Sequence, residues 1–513
     1  MSRKSSKYSG SDHWERYTLS SQLGYNTSSD KIPVISSSLD HAQPSGTNDK
    51  WKSIAWYAQV NYNYLQRYYL QANLAAETSS RFGKDVDNGL KMFEVPWGIF
   101  PGVQVMWVMS NEPLFKGVWG VDYLSVTAGY DVSGNDDLDN NAARSYFVSH
   151  NFLEDVSGLS FENIGNTHLQ WETTRRLNVG LEGNFFQNRL NLRLNYFSSV
   201  TDNLLMFQQL EYVTGLDRNW TNGGKMKNKG FDITAIGKVL SLKDFQWELG
   251  ASVGHYKNEV EELVDGQTAF EHTIYGATIR TQIGQPANMF YGYQSLGVFS
   301  TSEEAAAAGL FILDDNGIDH KTFGAGDIHF ADINGDHEIN EADRVFIGDP
   351  NPSLYGNIFS TWAYKRFKLD VHFNYSIGND VYNYQRSQLE GGSRFMNQTT
   401  NLICRWQTEG QVTDVPKATF QDPMGNARFS DRWIEDGSFL KLKTVTLSYT
   451  LPMHSTLLQG FQFWIQANNL FTFSKYLGAD PEFAMTSSVI GQGIDLGRLP
   501  LSRSFVAGVK INL

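Results

Sequence analysis

Cysteine occurs once, at Cys404, which excludes an internal disulfide and any cysteine-based metal cluster. Long hydrophobic runs are also missing: nothing approaches the ~20 apolar residues that a membrane helix needs. The longest small-and-apolar stretch, Ala305 to Leu313, is broken by Gly309. Thr301, Ser302, Glu303 and Glu304 precede it, a capping-box pattern that predicts a short helix inside a loop. Basic residues are too few for a nucleic-acid partner. The net charge is −13 and the pI is about 5.3, whereas such binders gather positive charge. The opening MSRKSSKYSGSDHW has basic residues with no apolar segment behind them, so it does not read as a secretory signal. The eleven His show no helical zinc spacing. GLSFENIGN and NWTNGGKMKNKG lack a phosphate-loop lysine pattern and read as turns.

What the chain does have is alternation. In WYAQVNYNY, Trp56, Ala58, Val60, Tyr62 and Tyr64 fall on one side and Gln59, Asn61 and Asn63 on the other. LNLRLNYF sets Leu190, Leu192, Leu194 and Tyr196 against Asn191, Arg193 and Asn195. FKLDVHFNYSI, FQFWIQAN and the closing SFVAGVKINL repeat the pattern. Period two is a strand with two different faces. About fourteen such segments can be read, most of ~9–14 residues, against a usual soluble strand of ~5–6 and a tilted membrane strand of ~9–11. Aromatics reach 14% of the chain, with 24 Tyr and 13 Trp, as interfacial girdles require and as carbohydrate-binding β proteins also show. Long irregular stretches around 84–96, 135–165, 259–286, 300–350 and 383–436 alternate with short turns. The expected fold is all-β: a transmembrane antiparallel β-barrel with lipid outside, water inside and long extracellular loops. A soluble β-sandwich or propeller leaves the same alternation and is the competing architecture.

Ten phrases, in order, resemble the SusC/RagA family of TonB-linked outer-membrane transporters. They are SSRFG (Ser79 to Gly83), FPGVQVMWVMSNEPLF (Phe100 to Phe115), YDVSGNDDL (Tyr130 to Leu138) and the stretch Leu169 to Leu205. NKGFDI (Asn228 to Ile233), IGQPANMFYGYQSLGVF (Ile283 to Phe299) and Asp332 to Gly356 follow. The last three are Trp433 to Pro452, NNLFTFSKYLGADPE (Asn468 to Glu482) and the terminal LPLSRSFVAGVKINL. The resemblance covers residues 50–513, with 1–50 read as a partial strand and loop of the same barrel. It implies the later strands of a roughly 22-stranded barrel with a plugged lumen. It also implies TonB-dependent uptake of glycan or peptide oligomers, an outer-membrane location in a Gram-negative bacterium and a SusD-like surface lipoprotein as lid. No bond chemistry is involved, so no enzyme is expected. The family's plug and TonB box do not precede Met1, so TonB enters only if both are supplied upstream. A fragment of a longer product, a split or decayed gene, and re-closure into a smaller barrel are the three readings of that departure.

The sharpest chemical motif is DINGDHEINEAD, Asp332 to Asp343. Its oxygen donors match a dockerin-like EF-hand calcium loop: Asp332, Asn334 and Asp336 through side chains, Glu338 through its carbonyl, Asn340 directly or through water, and Asp343 closing the site. His337 replaces the usual Gly at position 6, and Asp343 replaces a bidentate Glu, so weaker binding than usual is expected. The other reading is a solvated Asp/Asn-rich turn, and no second copy of the motif exists. The adjacent carboxylates Glu435 and Asp436, Asp136 and Asp137, and Asp314 and Asp315 do not establish the ~5–9.5 Å separation of a glycosidase pair. Tyr68, Tyr69, Trp362, Trp464 and Tyr476 are candidates for stacking on sugars or for the girdles. The functional alternative to an importer is a secreted, calcium-stabilised, β-rich glycan-binding or adhesion protein.

Overall fold

The structure is a computed structural model that describes residues 3–22 and 45–513, apart from 88, 116, 153–155, 211, 212, 214, 217, 315, 454–459, 484–488 and 513. For 3–22 and 45–49 the backbone alone is described.

Fourteen strands form one antiparallel meander in which each strand pairs with the next along the chain. They are β1 (Arg3–Gln22), β2 (Ser45–Tyr64), β3 (Tyr68–Ser79), β4 (Val95–Val108) and β5 (Val121–Asn135). β6 (Glu172–Phe185), β7 (Leu190–Asp202), β8 (Lys225–Ser241), β9 (Phe245–Glu262) and β10 (Leu354–Tyr364) continue the sheet. β11 (Phe367–Ile377), β12 (Phe439–Pro452), β13 (Gly460–Ser474) and β14 (Ser504–Asn512) complete it. A short strand, Leu90–Met92, pairs with β4 beside this path. Among the described residues, β1 and β14 each pair on one side only. Neighbour-to-neighbour pairing through hairpins is how an up-and-down barrel wall is built.

The connections alternate. Those after β2, β6, β8 and β10 are two to four residues long, and those after β4 and β12 are also short. Those after β3, β5, β7, β9, β11 and β13 gather at the opposite end and include 263–353 and 378–438. The turn after β2 puts Leu65 and Gln66 both at φ +55°, the left-handed pair that matches strand twist in a tight hairpin.

Register keeps the two faces continuous from strand to strand. Val126 lies opposite Leu181, Leu181 opposite Leu194, Leu194 opposite Ile233 and Ile233 opposite Val253. Further along, Leu369 faces Leu447, Leu447 faces Ile465 and Ile465 faces Ala507. Shifted by one residue, the other face aligns Thr127, Gly180, Asn195 and Asp232. Inward rings cover inward glycines: a Cβ at Gly250 would sit 2.3 Å from Phe359 Cζ, and one at Gly508 2.4 Å from Trp464. Larger side chains there would have to displace those rings.

Among the described residues, the apolar face has no second layer on it. Val105 is 46% exposed, Leu447 40%, and Ile465 and Val509 57% each. A soluble sandwich would bury this face against another sheet. The packed cores lie instead among the long connections. Phe299, Leu310, Phe323, Ile328, Phe330 and Ile339 of 263–353 form one, joined by Met424 of 378–438. Ile279, Phe290, Tyr382, Trp433 and Ile494 form another, which joins three connections. The stretches read from sequence as irregular are therefore largely folded, with one four-stranded sheet built from 269–282, 289–292 and 345–348. Helix α1 (Ser302–Ala308) starts at the expected N-cap, where Thr301 Oγ1 accepts from Glu304 N at 3.2 Å. Glu304 turns back to Ser300 N at 2.9 Å rather than to the cap residue.

Candidate functional site

Two surfaces carry chemistry: the polar inner face and the folded end of long connections. Along the inner face, carboxylates and amides are matched across neighbouring strands. Asn195 Nδ2 donates to Asp232 at 2.8 Å, Arg193 pairs with Glu182 at 3.0 Å and Arg176 with Asp131 at 3.4 Å. Asn195–Asp232 and Arg193–Glu182 border two recesses of about 280 and 260 Å³, lined among others by Thr127, Asn178, Arg193 and Asp232. Within β13, Gln466 donates to Asn468 at 2.8 Å. Such a wall offers hydrogen bonds to a hydrated polar solute.

At the long-connection end the ionic groups are more deeply held. Lys441, 1% exposed, reaches Asp480 at 2.7 Å and Glu482 at 3.0 Å, while Lys443 reaches Glu482 at 2.9 Å. Arg386 pairs with Glu435 at 2.7 Å, and its guanidinium also meets the Arg432 carbonyl. Burial and the neighbouring Arg386 push Arg432 down to about 10. The lysines tie the connection after β13 to β12, and Arg386 folds the 378–438 connection onto itself.

The EF-hand-like loop is closed by its own bonds. Asp332 accepts from Gly335 N at 2.7 Å and His337 N at 2.9 Å. Asn334 and Asp336 accept from Asp336 N and Glu338 N at 3.0 and 2.9 Å. Asp343, fully buried, accepts from Ile333 N and Asn340 N at 2.9 Å each, and Asn340 caps the following turn. His337 holds φ +64°, the conformation for which Gly is usual. Glu338 bridges Phe311, which anchors the loop to the first loop core through Ile339. Among the described residues no three His, Cys, Asp or Glu side chains converge as a metal cluster.

The remaining candidates have structural partners. Glu435 bonds Arg386 and Leu477 N, Asp436 caps Ser438 N, Asp136 lies 3.8 Å from Arg81, and Asp314 holds a turn by accepting from three backbone N–H groups. Asp315 lies outside the described residues. The Tyr476 hydroxyl donates to Asp495 at 2.7 Å, and burial followed by that bond raises its pKa. Tyr68 bonds Glu112 at 2.7 Å. Trp362 lies on the apolar face in register with Leu369, and Trp464 on the inner face over Gly508. Sequence reading missed Lys441, Arg344 and Arg428, which the fold brings to Asp480 in the first case and to the Tyr293 ring in the other two.

The comparisons with known proteins agree with this architecture. The family model described as "TonB dependent receptor-like, beta-barrel" matches residues 3–470. TonB-dependent receptor P3 of Formosa agariphila is 28% identical over 485 residues, 91% of this chain and 46% of that protein. TonB-dependent receptor SusC of Bacteroides thetaiotaomicron is 24% identical over 487 residues, 89% of this chain and 43% of that protein. The solved RagAB peptide transporter superposes with a TM-score of 0.81 at 23% identity, over 99% of this chain and 53% of that one. The chain thus spans about half the length of the relatives it matches, which are receptors and transporters by name and not enzymes. An antiparallel meander of fourteen long strands, greasy on one face and hydrophilic on the other, is what this chain shares with them: it belongs to the TonB-dependent receptor-like β-barrel family.

Proposed function

We propose that the chain forms the membrane wall and the outer, long-connection face of an outer-membrane importer for oligomeric nutrients, glycans or peptides, in a Gram-negative bacterium. The observation that carries this reading is the continuous two-faced register: a lipid-compatible exterior around a wall of Asn, Asp, Arg and Thr. Relatives named TonB-dependent receptor and SusC, and a structural neighbour described as a peptide transporter, support it. TonB would act through a plug and TonB box supplied upstream of these strands. A SusD-like lipoprotein would sit on the folded connections. The exposed apolar band speaks against the secreted adhesion alternative.

Deletion of the gene, followed by growth on candidate oligomers and on their monomers, tests the reading. Loss of growth on one oligomer class alone, restored by the intact gene, is expected. Unchanged growth on every oligomer class would contradict it. Co-purification with a lipoprotein in mild detergent tests the lid.

We also propose that the 332–343 loop takes Ca²⁺, supported by the spacing of its oxygen donors. His337 at loop position 6 and Asp343 in place of a bidentate Glu set the expected affinity at modest. Asp332→Ala should lower calcium affinity in isothermal titration, and absence of calcium uptake by the unaltered chain would end the idea.

A further inference from the structure

Two arginines from different connections meet across a recess of about 250 Å³ at the long-connection end. Arg344 follows the EF-hand-like loop, and Arg428 comes from 378–438. Tyr291, Tyr293, Gly276 and Thr278 complete the lining. The Tyr293 ring lies by both cations, its centroid 4.8 Å from Arg428 Cζ and 5.8 Å from Arg344 Cζ. Arg280 stacks on the neighbouring Tyr291 at 4.4 Å.

The charges in this neighbourhood are unequally compensated. Arg344 pairs with Glu341 at 2.6 Å and Glu271 at 3.4 Å, and Arg280 shares Glu271 at 2.9 Å. Arg428 has no carboxylate in ion-pair contact among the described residues. Its Nε and Nη2 donate to the carbonyls of Gly425 and Met424, both at 2.8 Å. Burial lowers its pKa, with Arg344 adding to the effect and Asp422 and Tyr293 opposing it. A cation that is desolvated, close to a second cation and in direct contact with no carboxylate is costly by itself. An arriving anion would relieve that cost. A guanidinium fork matches carboxylate and sulfate oxygens, and flanking tyrosine faces suit the flat side of a sugar ring. That such a recess persists on a chain of net charge −13 makes the local sign stand out further.

We propose that this recess is an acceptor site for the oxyanion group, carboxylate or sulfate, of an acidic oligosaccharide. The proposal rests on the uptake reading and narrows its substrate class. Arg428 would supply the unpaired cation, Arg344 the second, and Tyr291 and Tyr293 the stacking surface. The site joins the 263–353 connection to 378–438, so an occupant bridges both.

The test is isothermal titration of the full chain in detergent with an oligogalacturonate, a sulfated oligogalactan, a neutral oligogalactan and an oligoglutamate. One or both acidic saccharides should bind at least about tenfold more tightly than the neutral one, the scale of one charge-assisted bond. Which of them binds tells carboxylate from sulfate. Arg428→Gln should remove that margin. Because Arg428 is part-buried and bonds the local backbone, Arg344→Gln and the recess-filling Thr278→Trp serve as second variants, with circular dichroism to verify folding, and both should also remove it. Lys365→Gln, in a tight turn at the far end, should leave it intact. Equal affinity for neutral and acidic saccharides overturns the proposal, as does a margin that survives all three recess variants. Oligoglutamate binding as tightly as the saccharides overturns the sugar assignment. A chain that fails to enter bilayers would sink the importer reading while leaving these affinities standing, so the two failures are distinguishable.

Discussion

Lys441 shows what a single residue does here and why sequence alone does not mark it. It sits in an alternating strand, yet its counter-charges Asp480 and Glu482 come from the connection after β13, 39 residues away in the case of Asp480. Removing one member of a buried ion pair strands the other, at a cost of about 3–5 kcal/mol. Lys441→Ala should therefore lower the denaturation midpoint of the long-connection end, and Lys441→Met combined with Asp480→Leu should recover most of the loss. Equal midpoints for Lys441→Ala and the unaltered chain would show that the pair contributes nothing. His329 supplies a pH dependence. It stacks on Phe299 at 4.5 Å; burial holds its pKa below the ordinary value, while Glu304 pulls the other way. The unfolded chain therefore binds the proton more readily, and the stability from neutral His329 is lost as pH falls through about 6.5 and below. Unfolding followed by tryptophan fluorescence at about pH 7.5 and about pH 5.5 should show acid destabilisation, and His329→Gln should reduce it. An unchanged pH dependence in that variant would remove His329 as the cause.

At the level of elements, period two was enough to place the strands. LNLRLNYF and FKLDVHFNYSI became β7 and β11, and the capped α1 begins where Thr301 indicated. Hydrophobic alternation is a local signal, so long strands reveal themselves. The connections did not. Their strands are two to eight residues long, mostly too short for a period to register, and their cores are non-local, with Tyr382 beside Ile494 and Trp433. The acidic motif was visible, but the role of Asp343 as a buried cap was not, because it depends on Ile333 and Asn340 folding back. The strand faces yield a matched pair of substitutions. Leu447→Arg places a charge on the outer band and should cost about 2–4 kcal/mol of folding in bilayers, falling toward the interface. Thr446→Arg, one residue along and facing inward beside Gln466, should fold nearly as well as the unaltered chain. Folded yield in lipid vesicles, read by heat-modifiable gel mobility, distinguishes the two; equal yields would contradict the assignment of faces.

For the whole molecule, every conclusion about uptake descends from the direction in which the apolar band points. Among the described residues, no second layer packs over the exposed Val105, Leu447, Ile465 and Val509, while packed hydrophobic cores are found among the connections. The most direct test uses the single native cysteine. In a Cys404→Ser background, nitroxide labels are placed one at a time on the chain reconstituted in lipid bilayers: outward at Val105 and Ile465, inward at Gln104 and Gln466. Paramagnetic relaxation by oxygen, which concentrates in hydrocarbon, should dominate at the outward pair, and relaxation by a water-soluble nickel chelate at the inward pair. Outward labels shielded from oxygen, or relaxed mainly by the chelate, would contradict the account.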